Sequence, residues 1–215
     1  MLTAAEHVPW RAVGRVNIGT TRSLSMCTGT LIGEDLVLTA AHCVINPRTG
    51  GVYRIGQVNF VAGWRLGTKI AHRKATRITV HPDYMLNDER NLKRIGSDLA
   101  LIQLANPISS DKAPFFRIAP APSPDTALTL ISYRQDRPNA LTRQKGCKII
   151  GTREAVIAME CNVTFGASGS PVFMSVDGKM RLVAVISSMG QNARQPVAYA
   201  VLVDASLPEV LAVSE

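Results

Sequence analysis

The chain has 215 residues, 46% hydrophobic and 19% charged, the balance of a folded globular protein; its longest apolar runs have strand length, short of the roughly 18–20 residues of a membrane-spanning helix. The formal charge is +8, from 24 Lys plus Arg against 16 Asp plus Glu. The densest basic runs, 65–77 and 90–94, hold neither the aromatic-and-glycine pattern of an RNA reader nor a helix–turn–helix pattern, so the charge is read as solvated surface and no specific nucleic-acid partner is expected.

In chain order, 13–18 reads as a strand, and 27–32 and 36–39 flank a Gly33-Glu34-Asp35 turn, a hairpin signature. One helical turn fits 40–44. Strands follow at 58–64, 76–80 and 99–104. The stretch 106–124, with Pro107, Pro114, Pro120, Pro122 and Pro124, reads as a crossover between two halves of similar size. The second half offers strands at 127–133, 147–151, 155–161, 171–175, 181–187 and 197–203, a turn at Asp177-Gly178, and a short terminal helix over 207–213. Many short strands with frequent turns, and no long amphipathic helix, argue for an all-β sandwich or barrel.

The four cysteines, Cys27, Cys43, Cys147 and Cys161, allow three connectivities. Local pairing, Cys27 with Cys43 and Cys147 with Cys161, is natural if each pair joins neighbouring strands; buried free thiols are the alternative. No C-x-x-C occurs, so a zinc ribbon or thioredoxin-type site is not expected. Disulfides imply the periplasm or the exterior. No basic-then-apolar leader opens the numbering, so a secretory leader is presumed absent from it.

Three stretches each offer one group that nucleophilic catalysis needs: Thr39-Ala40-Ala41-His42-Cys43, Ser97-Asp98-Leu99-Ala100-Leu101 and Gly166-Ala167-Ser168-Gly169-Ser170-Pro171. A serine hydroxyl needs a base to take its proton as it attacks, and a neutral histidine suits that task. The histidine needs a carboxylate on its other ring nitrogen to hold the tautomer. Asp98 opens an apolar strand and, once buried, requires a partner; the bland alternative is a turn cap. His7, His72 and His81 lack such neighbours and are read as surface or structural. Ser170 precedes Pro171, which holds its backbone towards extended forms and leaves Ser168 as the candidate nucleophile. Serine last in the order also excludes the α/β-hydrolase elbow.

These three blocks resemble the signature blocks of the chymotrypsin-like (trypsin-like) serine proteases, and the resemblance spans most of the chain. Residues 27–32 and Val80-His81-Pro82-Asp83-Tyr84 also look like family stretches, and the lean loops are most similar to the bacterial secreted branch. The resemblance implies two six-stranded antiparallel β-barrels with the active site in the cleft between them: a first barrel in 1–106 (His42, Asp98), a linker in 107–124, and a second barrel with the terminal helix in 125–215 (Ser168). It implies an oxyanion hole from the amides of Gly166 and Ser168, and an S1 pocket lined by Asn162, Val163, Thr164, Ser187, Ser188, Met189, Gly190 and Val197. Ser188, Met189 and Gly190 resemble the edge that pairs with the substrate backbone.

Two departures shape the expectation. Ala167 stands where many animal members carry an aspartate that pairs with a newly cut N-terminus, and no Ile-Val-Gly-Gly-like start appears, so the oxyanion loop is expected to form without that ion pair. Asn162 supplies no acid at the pocket base and Val197 replaces a smaller residue, which suggests a small or medium uncharged P1 side chain. The expected function is a secreted or periplasmic serine endopeptidase acting on protein or peptide, as a monomer, without metal or cofactor. The alternatives are an inactive protease-fold binding module and an esterase-like acyl hydrolase on the same site.

Overall fold

Strands β1 (Val13–Ile18), β2 (Ser25–Leu31), β3 (Leu36–Thr39), β4 (Val58–Ala62), β5 (Ala71–Val80) and β6 (Ala100–Leu104) close into an antiparallel barrel in the order β1-β2-β3-β6-β5-β4. Strands β7 (Leu128–Arg134), β8 (Arg137–Arg153), β9 (Val156–Glu160), β10 (Pro171–Val176), β11 (Lys179–Gln191) and β12 (Pro196–Leu202) close a second in the order β10-β11-β12-β9-β8-β7. The computed structural model describes residues 1–19, 25–85, 91–191 and 196–214; Arg90 of the second basic run lies outside them. Closure removes the unpaired sheet edges that open sheets must protect. Side-chain alternation drives it: in β1, Val16 and Ile18 face the core while Arg15 and Asn17 are half-buried. The expected all-β architecture of two six-stranded barrels is the one observed.

Three elements start four or more residues before their expected position. β8 runs from Arg137 to Arg153 instead of 147–151, because it forms one long hairpin with β7 whose register shifts twice; Pro138 and Gly146, read locally, look like breakers. β5 starts at Ala71, where charged residues face solvent. The terminal helix α3 (Val203–Ala212) starts before 207, with Asp204 in its first turn. Two short helices escaped periodicity because neither completes two turns. One is α1 (Ala4–His7), closed by a Thr3–Glu6 capping box, and the other is α2 (Leu92–Gly96), capped by Asn91.

The barrels share contacts that fix their relative position. Phe116, in the proline-rich crossover, sits 5.9 Å from the Trp10 ring and 4.5 Å from that of Phe173, and its amide donates to the Leu31 carbonyl. Ala119 donates to Leu182 of β11. The N-terminal segment reaches the second barrel, through Leu2 N–H to the Leu141 carbonyl at 2.8 Å and Arg143 to Glu6 at 2.9 Å. One buried apolar cluster therefore runs from the first barrel into Tyr133, Phe173 and Val185 of the second. The cysteines pair as Cys27–Cys43 and Cys147–Cys161, closing loops of sequence separation 16 and 14. In the loop-entropy picture each stabilises the fold by about 3 kcal/mol.

Candidate active site

His42 sits on a single 3-10 turn, Ala41–Cys43, directly after β3. Ala40 and Ala41 are fully buried, so the turn lies flush on the barrel, and Cys43 ties it to Cys27 of β2. Asp98 follows α2 and precedes β6, and is only 3% exposed. Its carboxylate grips His42 at two points, accepting the backbone N–H on Oδ1 at 2.9 Å and facing Nδ1 with Oδ2 at 2.7 Å. A carboxylate on Nδ1 fixes that nitrogen as the donor and leaves Nε2 as the basic edge.

A third group completes this arrangement. Ser187 of β11 donates its hydroxyl to Asp98 Oδ2 at 2.6 Å, from the opposite barrel and 89 residues away. Burial pushes the Asp98 carboxyl up, but the His42 imidazole, the Ser187 hydroxyl and the His42 amide together outweigh it and hold the group below its ordinary value. Sequence reasoning put Ser187 on the S1 wall. It does line the cavity, but its hydroxyl is committed to Asp98. No local signal marks that role, since the partner comes from a distant segment.

Ser168 occupies a turn whose glycines are required. Gly169 has φ +76°, and a Cβ there would run into the Thr28 carbonyl and the Thr39 hydroxyl. Gly166 has φ +88°, and a Cβ there would lie 2.7 Å from Met26 Cε. The turn is anchored from the first barrel: Thr28 N–H donates to the Ser168 carbonyl at 2.8 Å and Thr28 Oγ1 to the Gly166 carbonyl at 3.0 Å. The same hydroxyl accepts from Tyr133 N–H at 3.1 Å. From the second barrel, Gly169 donates to Ile186 at 2.8 Å and Gln135 to Phe165 at 2.7 Å. Ala167 is 1% exposed, and its amide closes onto the Thr164 carbonyl. The N–H groups of Gly166 and Ser168 donate to none of the described residues. Ser170, by contrast, is fully buried with its hydroxyl sealed from the cleft.

His42, Asp98 and Ser168 line one cavity of about 720 Å³ between the barrels, together with Gly166, Val163, Thr164, Ser187, Ser188 and Met189. Three residues expected on the pocket walls are not among its lining. Asn162 is tied through its main chain to Gln144, with N–H to Oε1 at 2.9 Å and carbonyl to Nε2 at 2.6 Å. Gly190 and Val197 face each other in the β11–β12 register, with Val197 3% exposed. Phe165, 67% exposed, and Arg15 line the cavity without having been singled out from sequence. Cys27, His42 and Cys43 cluster within 4.8 Å, but their sulfurs are bonded to each other. One imidazole alone is too few donors for a zinc centre.

A family model described as Trypsin matches residues 3–208. A cercarial protease of Schistosoma mansoni is 28% identical over 163 residues, covering 71% of this chain and 59% of that protein, so the chain spans less than two thirds of this relative's length. Among solved structures, a Glu endopeptidase superposes with TM-score 0.78 at 18% identity, over 100% of this chain and 95% of the other. A thermostable serine protease from an extremophilic microorganism superposes with TM-score 0.75 at 16% identity, over 96% and 98%.

Proposed function

Since the chain belongs to the trypsin family, we propose that it is a serine endopeptidase with Ser168 as nucleophile, His42 as general base and Asp98 as the group that orients the base. The observation that carries this reading is the two-point grip of Asp98 on His42, at 2.9 and 2.7 Å, inside the cleft that Ser168 also lines. Ser168 Oγ attacks the peptide carbonyl as His42 Nε2 takes its proton, and the imidazolium is steadied by the Asp98 carboxylate. The amides of Gly166 and Ser168 receive the charge that develops on the carbonyl oxygen, a contribution of roughly 10²–10³ in rate per donor. His42 returns the proton to the leaving amine, an acyl-enzyme forms on Ser168, and a water activated by the same base hydrolyses it.

A small or medium uncharged P1 residue is the proposed preference. The walls built by Val163, Thr164, Ile186, Ser188 and Met189 carry no charge to pair with a Lys, Arg or Glu side chain. The two disulfides support an extracellular or periplasmic site of action. The anchoring of the Ser168 turn by Thr28 supports an oxyanion loop that needs no new N-terminus. The units proposed to act together are 1–106 and 125–215, joined through 107–124, in a monomer.

The test is labelling by an organophosphonate together with casein digestion. Both should be abolished in Ser168→Ala. Labelling without casein cleavage would favour an acyl hydrolase, and neither activity in the wild type would favour a binding module. A P1 peptide-library profile led by Arg, Lys or Glu would overturn the proposed preference.

A further inference from the structure

The proposed mechanism leaves two charged residues of the cleft, Arg15 and Arg94, unused, and Arg15 is the one paired with the anchor of the nucleophile turn. Arg15 of β1 stands in register with Thr28 of β2, the residue that holds the Ser168 and Gly166 carbonyls, so it is one strand spacing, roughly 4.8 Å, from that anchor. Its guanidinium carbon lies 5.4 Å from the centre of the Trp64 ring. Tyr133, whose hydroxyl donates to the Trp64 carbonyl at 2.7 Å, packs in the same place. Arg15 Nε is buried with no hydrogen-bond partner. Burial lowers the guanidinium pKa, partly offset by the neighbouring Tyr133 phenol.

The fold supplies no counter-charge among the described residues. Asp98 is the sole carboxylate lining the cavity, and it is taken by His42 and Ser187. Asp136, at the β7–β8 turn beside the cavity, is held by Arg134 at 3.0 Å and flanked by Arg137 at 3.8 Å. Glu6 pairs with Arg143 at 2.9 Å. A half-buried cation, held against an aromatic plate and open to the cleft, is costly unless an anion comes to it. A guanidinium offers the fork that a carboxylate fits.

Direction along the substrate follows from the cleft walls and rests on the endopeptidase reading. The acyl half is assigned to β11, at Ser187, Ser188 and Met189. Met26 and Gln135 stand beside Gly166, and the Cys27–Cys43 bridge, Pro138 and Arg15 line the same cavity away from β11 in the fold. We infer that Arg15 is a specificity residue binding a carboxylate on the leaving-group half of the substrate, an acidic side chain or a free chain end within roughly three residues of the cleaved bond at about 3.3 Å per residue.

The experiment uses internally quenched peptides with one fixed acyl half. Glu or Gln is placed at each of the first positions after the cleaved bond, with free-acid or amide C-termini. In the wild type, one Glu position or the free-acid end should raise kcat/KM by about tenfold or more over its neutral counterpart. In Arg15→Met, which keeps the stem against Trp64, the ratio should fall below about twofold, while hydrolysis of a short acyl ester with no peptide leaving group stays unchanged. A gain confined to Glu identifies the side chain as the source, and one confined to the free acid identifies the chain end. Fluorescence anisotropy of the same peptides on Ser168→Ala should show the same preference in Kd without turnover. Equal values for acidic and neutral peptides in both assays, or a preference that survives Arg15→Met, would overturn the assignment. Absence of peptide hydrolysis in the wild type would instead remove the endopeptidase reading, and the anisotropy ratio would still decide whether Arg15 binds a carboxylate.

Discussion

Ser187→Ala is the most informative single perturbation of the site. The substitution removes one donor from Asp98 Oδ2, the oxygen that also faces His42 Nδ1. Asp98 is 3% exposed, so bulk water cannot replace the hydroxyl freely. A hydrogen bond to a charged group contributes about 1.5–3 kcal/mol, and that is the expected loss of stability at neutral pH. Asp98 is held below its ordinary value by His42 and Ser187 against the effect of burial. Its contribution is therefore complete above the unfolded-state value, near about 3.9, and is lost as pH falls through the lower folded-state value. Losing Ser187 raises the folded-state value, so the difference between variant and parent should shrink as the solution is acidified below about pH 4. Urea denaturation from pH 7 to pH 3, with both proteins carrying Ser168→Ala to prevent self-digestion, reads this directly. In the active background kcat should fall by about tenfold or more, because the carboxylate that orients His42 is less firmly placed. A stability difference under about 0.5 kcal/mol at pH 7 would refute the reasoning.

Other substitutions probe the scaffold around the nucleophile. Gly169→Ala forces a Cβ into the Thr28 carbonyl and the Thr39 hydroxyl at φ +76°; chemical denaturation should show a loss of about 2–5 kcal/mol from backbone strain and overpacking. Thr28→Val keeps the shape but orphans the Gly166 carbonyl and the Tyr133 amide. It should cost about 2–6 kcal/mol and lower kcat more than it raises KM, with both effects largely restored by Thr28→Ser. Replacing Cys147 and Cys161 together by serine opens a loop of separation 14 and should reduce stability by about 3 kcal/mol, leaving labelling of Ser168 intact below the lowered melting temperature.

The barrels were legible because strand alternation and turn residues are local signals. β1 and β3 fall where the period-two pattern places them, and the Gly33-Glu34-Asp35 turn joins β2 to β3. Extent was legible only where both strand ends carry such marks. β8 extends well beyond 147–151 because its partner β7 supplies pairing that its own polar residues do not advertise. The three groups of the proposed catalytic set could be chosen because each lies in a short block with its own chemistry. The hydroxyl of Ser187 and the charge of Arg15 could not, since each acquires meaning from a partner or a vacancy created by segments far away in the chain. The pocket walls were the least legible. The family resemblance implies Asn162 and Val197 on the pocket walls, yet the main-chain bonds to Gln144 and the β11–β12 register accompany their absence from the cavity lining.

The two halves of the cleft are tied together through consecutive residues of one strand. Cys27 of β2 is bonded to the turn that carries His42, and Thr28, the next residue, is hydrogen-bonded to the turn that carries Ser168. A hinge motion that parted the barrels would have to break the Thr28 bonds to the Ser168 turn, right beside the residue that pins the His42 turn. On the endopeptidase reading, a slot held together in this way favours substrates that do the bending themselves: slack loops, unravelled ends and already unfolded chains.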